Sequence, residues 1–318
     1  MSSGVRKAFV LGAGLGTRLR PLTTARPKPL VPIFHKPLIT FAFDHLKAHG
    51  VESFVVNTHH CPEAYDRMVG NSYEGCPVLY RHEPMLLETG GGIKNVEDLL
   101  GGEAFIVYNG DVLSDIPLDR LLAEHSARGN LATLALRSSG SPRHIQCDPS
   151  TNRVTDIRGR IGGSGNPSFL FTGITVLSPE IFSHIPAGTP VSIIPIYLEL
   201  IRQGARIGGV VVEEGHWLDL GSRKAYIEAH QMFAPGGQKL TTSPLSWPRL
   251  VHDSATVHPS ASLIGACAIG PMATVAEGAV LEDSVLWDKA SAAPGVRLLR
   301  CVVRDSIQAT ISAKSYDF

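Results

Sequence analysis

Short apolar runs alternate with longer stretches whose apolar positions recur at helical spacing, from about residue 6 to about residue 233. Strand-type runs fall at 8–11, 53–57, 77–81, 104–108, 131–136, 169–177 and 205–212. Helix-type stretches occupy 38–49, 92–100, 118–128 and 192–203. Strands separated by helices of that length read as βαβ units. The pattern predicts an α/β fold, a Rossmann-like mixed and largely parallel sheet with flanking helices. Ligands of such sheets gather at the carboxyl ends of the strands.

A polar stretch with proline and glycine, 234–248, reads as a linker. Beyond it the pattern changes. Val251, Val257, Leu263, Ile269, Val275 and Leu281 recur every sixth residue. Ala255, Ala261, Cys267, Ala273, Ala279 and Val285 follow at the same interval, four positions later. One aliphatic and one small side chain per six residues is the signature of a hexapeptide β-helix. The phase breaks after Trp287 and resumes in part at Val296 and Val302, which predicts a loop over 288–295. So short a solenoid has two open ends, so an edge is expected to dock on the preceding domain or on another subunit. The predicted division is a 1–233 domain, a 234–248 linker and a short left-handed parallel β-helix over 249–318.

The chain has 318 residues, 43% hydrophobic and 18% charged, with zero formal net charge. That balance speaks against nonspecific binding to nucleic acid or to an anionic membrane. No apolar run reaches the length of a membrane span, and the amino terminus lacks the pattern of a signal peptide. Five cysteines without a CxxC pair suit reduced thiols, so a cytoplasmic location is expected. Any positive field must be local, around Arg18, Arg20, Arg26 and Lys28.

Those cations surround the most informative run, residues 11–23, followed by Pro27-Lys28-Pro29-Leu30. A dinucleotide fingerprint requires glycines at first, third and sixth positions, whereas Gly12, Gly14 and Gly16 fall at first, third and fifth. A P-loop would need glycine where Thr17 stands. What remains is a Gly-rich turn through which backbone N–H groups can approach a polyphosphate, with Arg18 beside it and Lys28 further on. A turn serving only chain reversal would not need Thr17, Arg18 and Lys28 as well.

The run GxGTRLRPLT…PKPL resembles, residue for residue, that of the sugar-1-phosphate nucleotidyltransferases. The resemblance implies a GT-A-like nucleotidyltransferase fold for residues 1–233. It implies attack of a sugar-1-phosphate oxygen on the α-phosphorus of a nucleoside triphosphate, with pyrophosphate leaving. By the same resemblance Leu11, Gly12, Ala13, Gly14, Gly16, Thr17 and Arg18 bind nucleotide. Arg18 contacts the β- and γ-phosphates and Lys28 the α-phosphate. Taken alone, Asp111, after a core strand, and Asp219, in Trp217-Leu218-Asp219-Leu220-Gly221, read as turn formers or caps. The resemblance makes them the two metal aspartates, with Mg2+ as the cation, and assigns Asn109, Gly173 and Trp217 to the sugar.

In relatives the segment 83–92 reads the base, and Glu83, Glu88, Thr89 and Gly90 are the candidates here. Glu83 stands where relatives place a base-pairing glutamine. A carboxylate only accepts hydrogen bonds, which suits the ring N–H of uracil or guanine, so UTP and GTP rank first. Thr89 also reads as an N-cap. Residues 87–93, 109–112 and 171–177 look most like N-acetylmuramate-1-phosphate uridylyltransferases. The tail instead resembles those of mannose-1-phosphate guanylyltransferases and glucose-1-phosphate adenylyltransferases, where they mediate assembly or regulation, so a homo-oligomer is expected. The family's Phe-x-Glu-Lys-Pro lysine is missing, leaving Arg143, Arg158 or Arg160 as candidate sugar-phosphate anchors. Two rival readings are a catalytically silent regulatory subunit, which the retained Arg18, Lys28, Asp111 and Asp219 argue against, and an acyltransferase built on the hexapeptide coils.

Overall fold

The computed structural model describes residues 4–162, 165–242 and 247–318. One ten-stranded sheet has the spatial order Ile145–Asp148, Arg153–Ile157, Ile207–Val211, Ala132–Arg137, Ser168–Leu177, Phe105–Asn109, Lys7–Leu11, Ser53–Thr58, Cys76–His82 and Ser72–Tyr73. Each strand expected from the apolar runs is present to within about two residues at either end. Leu38–Ala48, Asp119–Arg128 and Ile193–Arg202 are the expected helices. The stretch read as 92–100 instead divides into Glu88–Asn95 and Glu97–Leu100.

Cys76–His82, Ser53–Thr58, Lys7–Leu11 and Phe105–Asn109 lie side by side in parallel. Ser168–Leu177 then runs antiparallel between Phe105–Asn109 and Ala132–Arg137. The Ile145–Asp148 and Arg153–Ile157 hairpin, absent from the sequence reading, adds more antiparallel pairs. The sheet is therefore mixed rather than largely parallel. The connection between Arg137 and Ser168 is spent on that hairpin, and among its described residues no helix makes a parallel crossover.

This topology brings several chain segments to one edge. Leu11, Thr58 and Asn109 end parallel strands there. The antiparallel strand begins there, with Ile174 opposite Tyr108. A separate ribbon pairs Val112–Ser114 with Trp217–Asp219, so Asp219 lies opposite Val112 and next to Asp111. Alternation along Lys7–Leu11 sends Ala8 and Val10 into a core with Ile39, Phe43 and Leu121, and Phe9 into another with Ile93 and Tyr197.

Beyond 247 the chain forms three short parallel sheets. One stacks Thr256–Val257, Thr274–Val275, Ser291–Ala292 and Gln308–Ala309. A second stacks Ser262–Ile264, Val280–Glu282, Arg297–Leu299 and Ala313–Lys314, and the third Ala268–Ile269, Val285–Leu286 and Val302–Val303. The arrangement is consistent with a β-helix. Val257 pairs with Val275, but Val275 pairs with Ala292, so the coil shortens by one residue. The slip lies at 282–284 and not after Trp287. Asp283, at φ 46, makes the tighter corner, and buried Ser284 takes the small position expected for Val285. The loop expected at 288–295 is absent, since Ser291–Ala292 is a strand in register.

A face of the stack, not an edge, meets the larger part of the chain. Ala268, Val285, Trp287 and Val302 share one buried cluster with Leu22, Phe34, Tyr226 and Phe233. Arg26 belongs to this junction rather than to the local positive field. Its Nη2 lies 2.7 Å from Asp305 and its guanidinium 4.9 Å from the Trp287 ring centroid. The expected linker is fastened where it is described: Thr241 donates its N–H to Asp115 at 2.7 Å, and Trp247 packs on Phe34 and Phe41. Its residues 243–246 lie outside the described ones.

Three buried histidines give the fold a pH dependence. Burial pushes the pKa of His45, His125 and His230 down to about 4. The unfolded chain, with imidazoles near 6.5, therefore takes up protons that the native state refuses. Stability falls as pH drops from about 6.5 toward 4. Thermal melts across that window are expected to show a steadily decreasing Tm, and a flat profile would contradict the assignment.

Candidate active site

The turn after Lys7–Leu11 is held from the neighbouring strand. Asn57 Oδ1 accepts the N–H groups of Gly12 at 2.8 Å and Ala13 at 3.2 Å, and buried Tyr65 donates its hydroxyl to the Gly12 carbonyl at 2.9 Å. A Cβ on Gly12 would lie 2.6 Å from the Asn57 carbonyl oxygen, so this approach requires glycine. Gly16, at φ 56, precedes a 3-10 turn, Thr17–Leu19. Every residue predicted here, Leu11, Gly12, Ala13, Gly14, Gly16, Thr17 and Arg18, lines a cleft of about 360 Å³. Lys28, Asn109 and Asp111 line it too.

Lys28 opens the 3-10 turn Lys28–Leu30 between two prolines, whose fixed φ stiffens the backbone there. Its side chain is 9% exposed and its Nζ reaches Asp111 at 2.6 Å and Asp219 at 3.4 Å. The carboxylates are 34% and 45% exposed, and both contact this one buried cation. Arg18 makes no ion pair among the described residues and is the cleft's uncommitted positive charge. It passes over Gly221, where a Cβ would lie 3.0 Å from both Arg18 Nη2 and Asp219 Oδ1.

A second hollow of about 220 Å³ shares Arg18, Asn109 and Asp111, and is closed by Ser141, His144, Thr172, Trp217 and Asp219. Trp217 offers it a ring face only, because its N–H is donated to the Thr172 carbonyl at 2.8 Å. Gly173 acts by making room. Its φ is 80, and a Cβ there would fall 2.4 Å from Asn109 Nδ2. Arg143, Arg158 and Arg160 do not line this hollow; Arg143 Nη1 is spent on the Ser138 carbonyl at 3.0 Å.

The base-reading segment departs from expectation. Glu83, Glu88, Thr89 and Gly90 line neither hollow. Glu83 is fully buried, with Oε1 accepting from Asn57 Nδ2 at 2.8 Å and Oε2 from the Leu87 N–H at 3.0 Å. Thr89 is not a cap, since its helix begins at Glu88 after Leu87. Glu88 is exposed at φ 58, a conformation that favours glycine. Gly90 gives its N–H to the Val191 carbonyl at 2.8 Å. Leu86, Asn57, Gly221, Ser141 and His144 escaped the sequence reading. Only Gly221 carried a signal there, inside the Trp-x-Asp-x-Gly motif.

No group of three or more acids, histidines or cysteines suited to a metal gathers among the described residues. The two facing carboxylates nonetheless suit a hard divalent cation that completes its octahedron with substrate phosphates and water.

The fold and this cleft define an α/β protein with a Gly-rich, cation-lined cleft at the carboxyl edge of its sheet. The sequence pattern of the nucleotidyl transferase family matches residues 7–235, and the chain belongs to that family. A mannose-1-phosphate guanylyltransferase of Mycobacterium tuberculosis is 32% identical over 88% of this chain and 79% of its own. An N-acetylmuramate α-1-phosphate uridylyltransferase of Neisseria meningitidis is 34% identical over 68% of this chain and 93% of its own. In fold, a UDP-glucose pyrophosphorylase solved with UDP-glucose matches 71% of this chain and 97% of its own at a TM-score of 0.60, with 22% identity.

Proposed function

We propose that this protein transfers a nucleotidyl group from a nucleoside triphosphate to a sugar-1-phosphate, forming an NDP-sugar and releasing pyrophosphate. The observation that carries the reading is Lys28 Nζ set between Asp111 and Asp219 at the floor of the Gly-rich cleft. A phosphate monoester, with a second pKa of about 6, is already largely ionised at neutral pH and needs no general base. The site has instead to align two polyanions and neutralise the charge that develops between them. Lys28 serves the α-phosphate and Arg18 the departing β- and γ-phosphates. Asp111 and Asp219 would hold a divalent metal, Mg2+ in this reading, which supplies further charge neutralisation. Asn109 and Trp217 face the sugar in the second hollow.

Residues 1–233 form the catalytic domain and 249–318 a left-handed parallel β-helix through which copies of the chain associate. GTP ranks ahead of UTP. The carboxylate argument, which ranked UTP and GTP together, lapses with Glu83 buried, and the relatives named mannose-1-phosphate guanylyltransferase that match both parts of the chain put GTP first. The test is pyrophosphate release with Mg2+, GTP or UTP, and a panel of sugar-1-phosphates. Release is expected with at least one pair. No release with any pair would leave the regulatory-subunit reading in its place.

A further inference from the structure

Two walls of the nucleotide cleft are tied together by a chain of hydrogen bonds that has only one consistent direction. Gly12 and Ala13 present N–H donors, so Asn57 must turn its carbonyl oxygen to them. Its Nδ2 must then face Glu83, at 2.8 Å. On the far side of Glu83 stands another donor, the Leu87 N–H at 3.0 Å. The side chain at position 83 is therefore flanked by donors alone. Two acceptors and no donor are required there, which an ionised carboxylate provides and an amide does not. Gly92 makes the space, since a Cβ on it would lie 3.0 Å from both Asn57 Nδ2 and Glu83 Oε1.

We infer that Glu83 is a positioning residue that acts through Asn57, locking the Gly12–Ala13 turn to the Leu86–Leu87 wall opposite. The inference rests on the nucleotidyltransferase reading of the cleft. It also removes Glu83 from base recognition: the carboxylate sets where the triphosphate turn stands, and both nucleotides feel it equally. Glutamine at this position puts a donor against either Asn57 Nδ2 or the Leu87 N–H. If Asn57 flips to accommodate it, the clash moves to Gly12 and Ala13.

The donor pattern can be inverted without changing its net charge. Glu83→Gln combined with Asn57→Asp moves the carboxylate to position 57. There one oxygen accepts from Gly12 and Ala13 and the other from the new amide, whose own oxygen accepts from Leu87. Glu83→Gln alone is expected to lower kcat/KM for the triphosphate roughly ten- to a hundredfold, by the same factor for GTP and UTP. Asn57→Asp alone, which sets two carboxylates face to face, loses at least as much. The double variant is expected to recover most of the loss. Hydrogen exchange of the Gly12 and Ala13 amides follows the same order, faster in each single variant and slowed again in the double, and it needs no turnover. A double variant no better than the singles in exchange, or a GTP-to-UTP ratio that shifts with Glu83→Gln, would overturn the inference. Wild-type protein that neither turns over nor binds a triphosphate would overturn the proposed function instead, with the exchange result standing by itself.

Discussion

Asp111→Asn is expected to lower turnover by roughly a hundred- to a thousandfold, the loss typical of one preorganised electrostatic contact at a transition state. The carboxylate touches the buried Lys28 ammonium at 2.6 Å, and Asp219 lies 3.4 Å from the same ammonium. Together the three groups carry one net negative charge, which suits the cleft to a cation that travels with the triphosphate. The asparagine keeps the shape but gives up one of the charges that would hold that cation, and offers Lys28 a neutral partner. Folding should suffer little. The Asp111 side chain is a third exposed and Asp219 still faces Lys28, so a cost of about 1 kcal/mol is expected. Pyrophosphate release measured beside a thermal melt separates the two effects. A folded variant with near-normal magnesium-dependent turnover would contradict the role given to Asp111.

Legibility in the sequence followed the kind of information each feature needs. Core strands and the Gly-rich turn depend on local pattern, and apolar runs such as 104–108 and 169–177 located them to within a residue. The pair of aspartates was legible as motifs, and their meeting was implied by the family resemblance rather than by any local pattern. It is produced by the ribbon of Val112–Ser114 with Trp217–Asp219, two three-residue strands over a hundred positions apart with no apolar signature of their own. Glu83 was assigned to the base because it stands where relatives carry a base-pairing glutamine. Its burial is decided by donors on Asn57 and Leu87, which no local pattern reports. Arg26 was misread as well: it sits among site cations in sequence, yet Asp305 and Trp287 draw it into the junction. The six-residue spacing holds as far as Leu281, but the coil loses one residue at Asp283 and another near Arg300, which a strict count of six turns into a false loop.

Trp287→Ala is expected to destabilise the whole chain by about 3–5 kcal/mol, as truncation of a fully packed tryptophan does. The side chain is 2% exposed, its N–H is donated to the Tyr226 hydroxyl at 3.0 Å, and Arg26 lies over its ring. Because the cluster it fills also contains Leu22, Phe34 and Phe233, the cavity opens between the coils and the larger part of the chain. Both parts line that cavity, so they should unfold in one transition. Activity should fall as well, through geometry. Arg26 stands two residues before Lys28, and Arg223, fixed to Asp317 at 2.5 Å, two residues after Gly221. The C-terminal coils thus grip both segments that carry the site. Trp287→Phe, which keeps most of the packing and loses the hydrogen bond, should lie between the two. Urea denaturation followed by circular dichroism measures the effect. Two separate transitions in the parent, or a Trp287→Ala chain within 1 kcal/mol of it, would mean that the coils are an appendage and not a wall of the catalytic core.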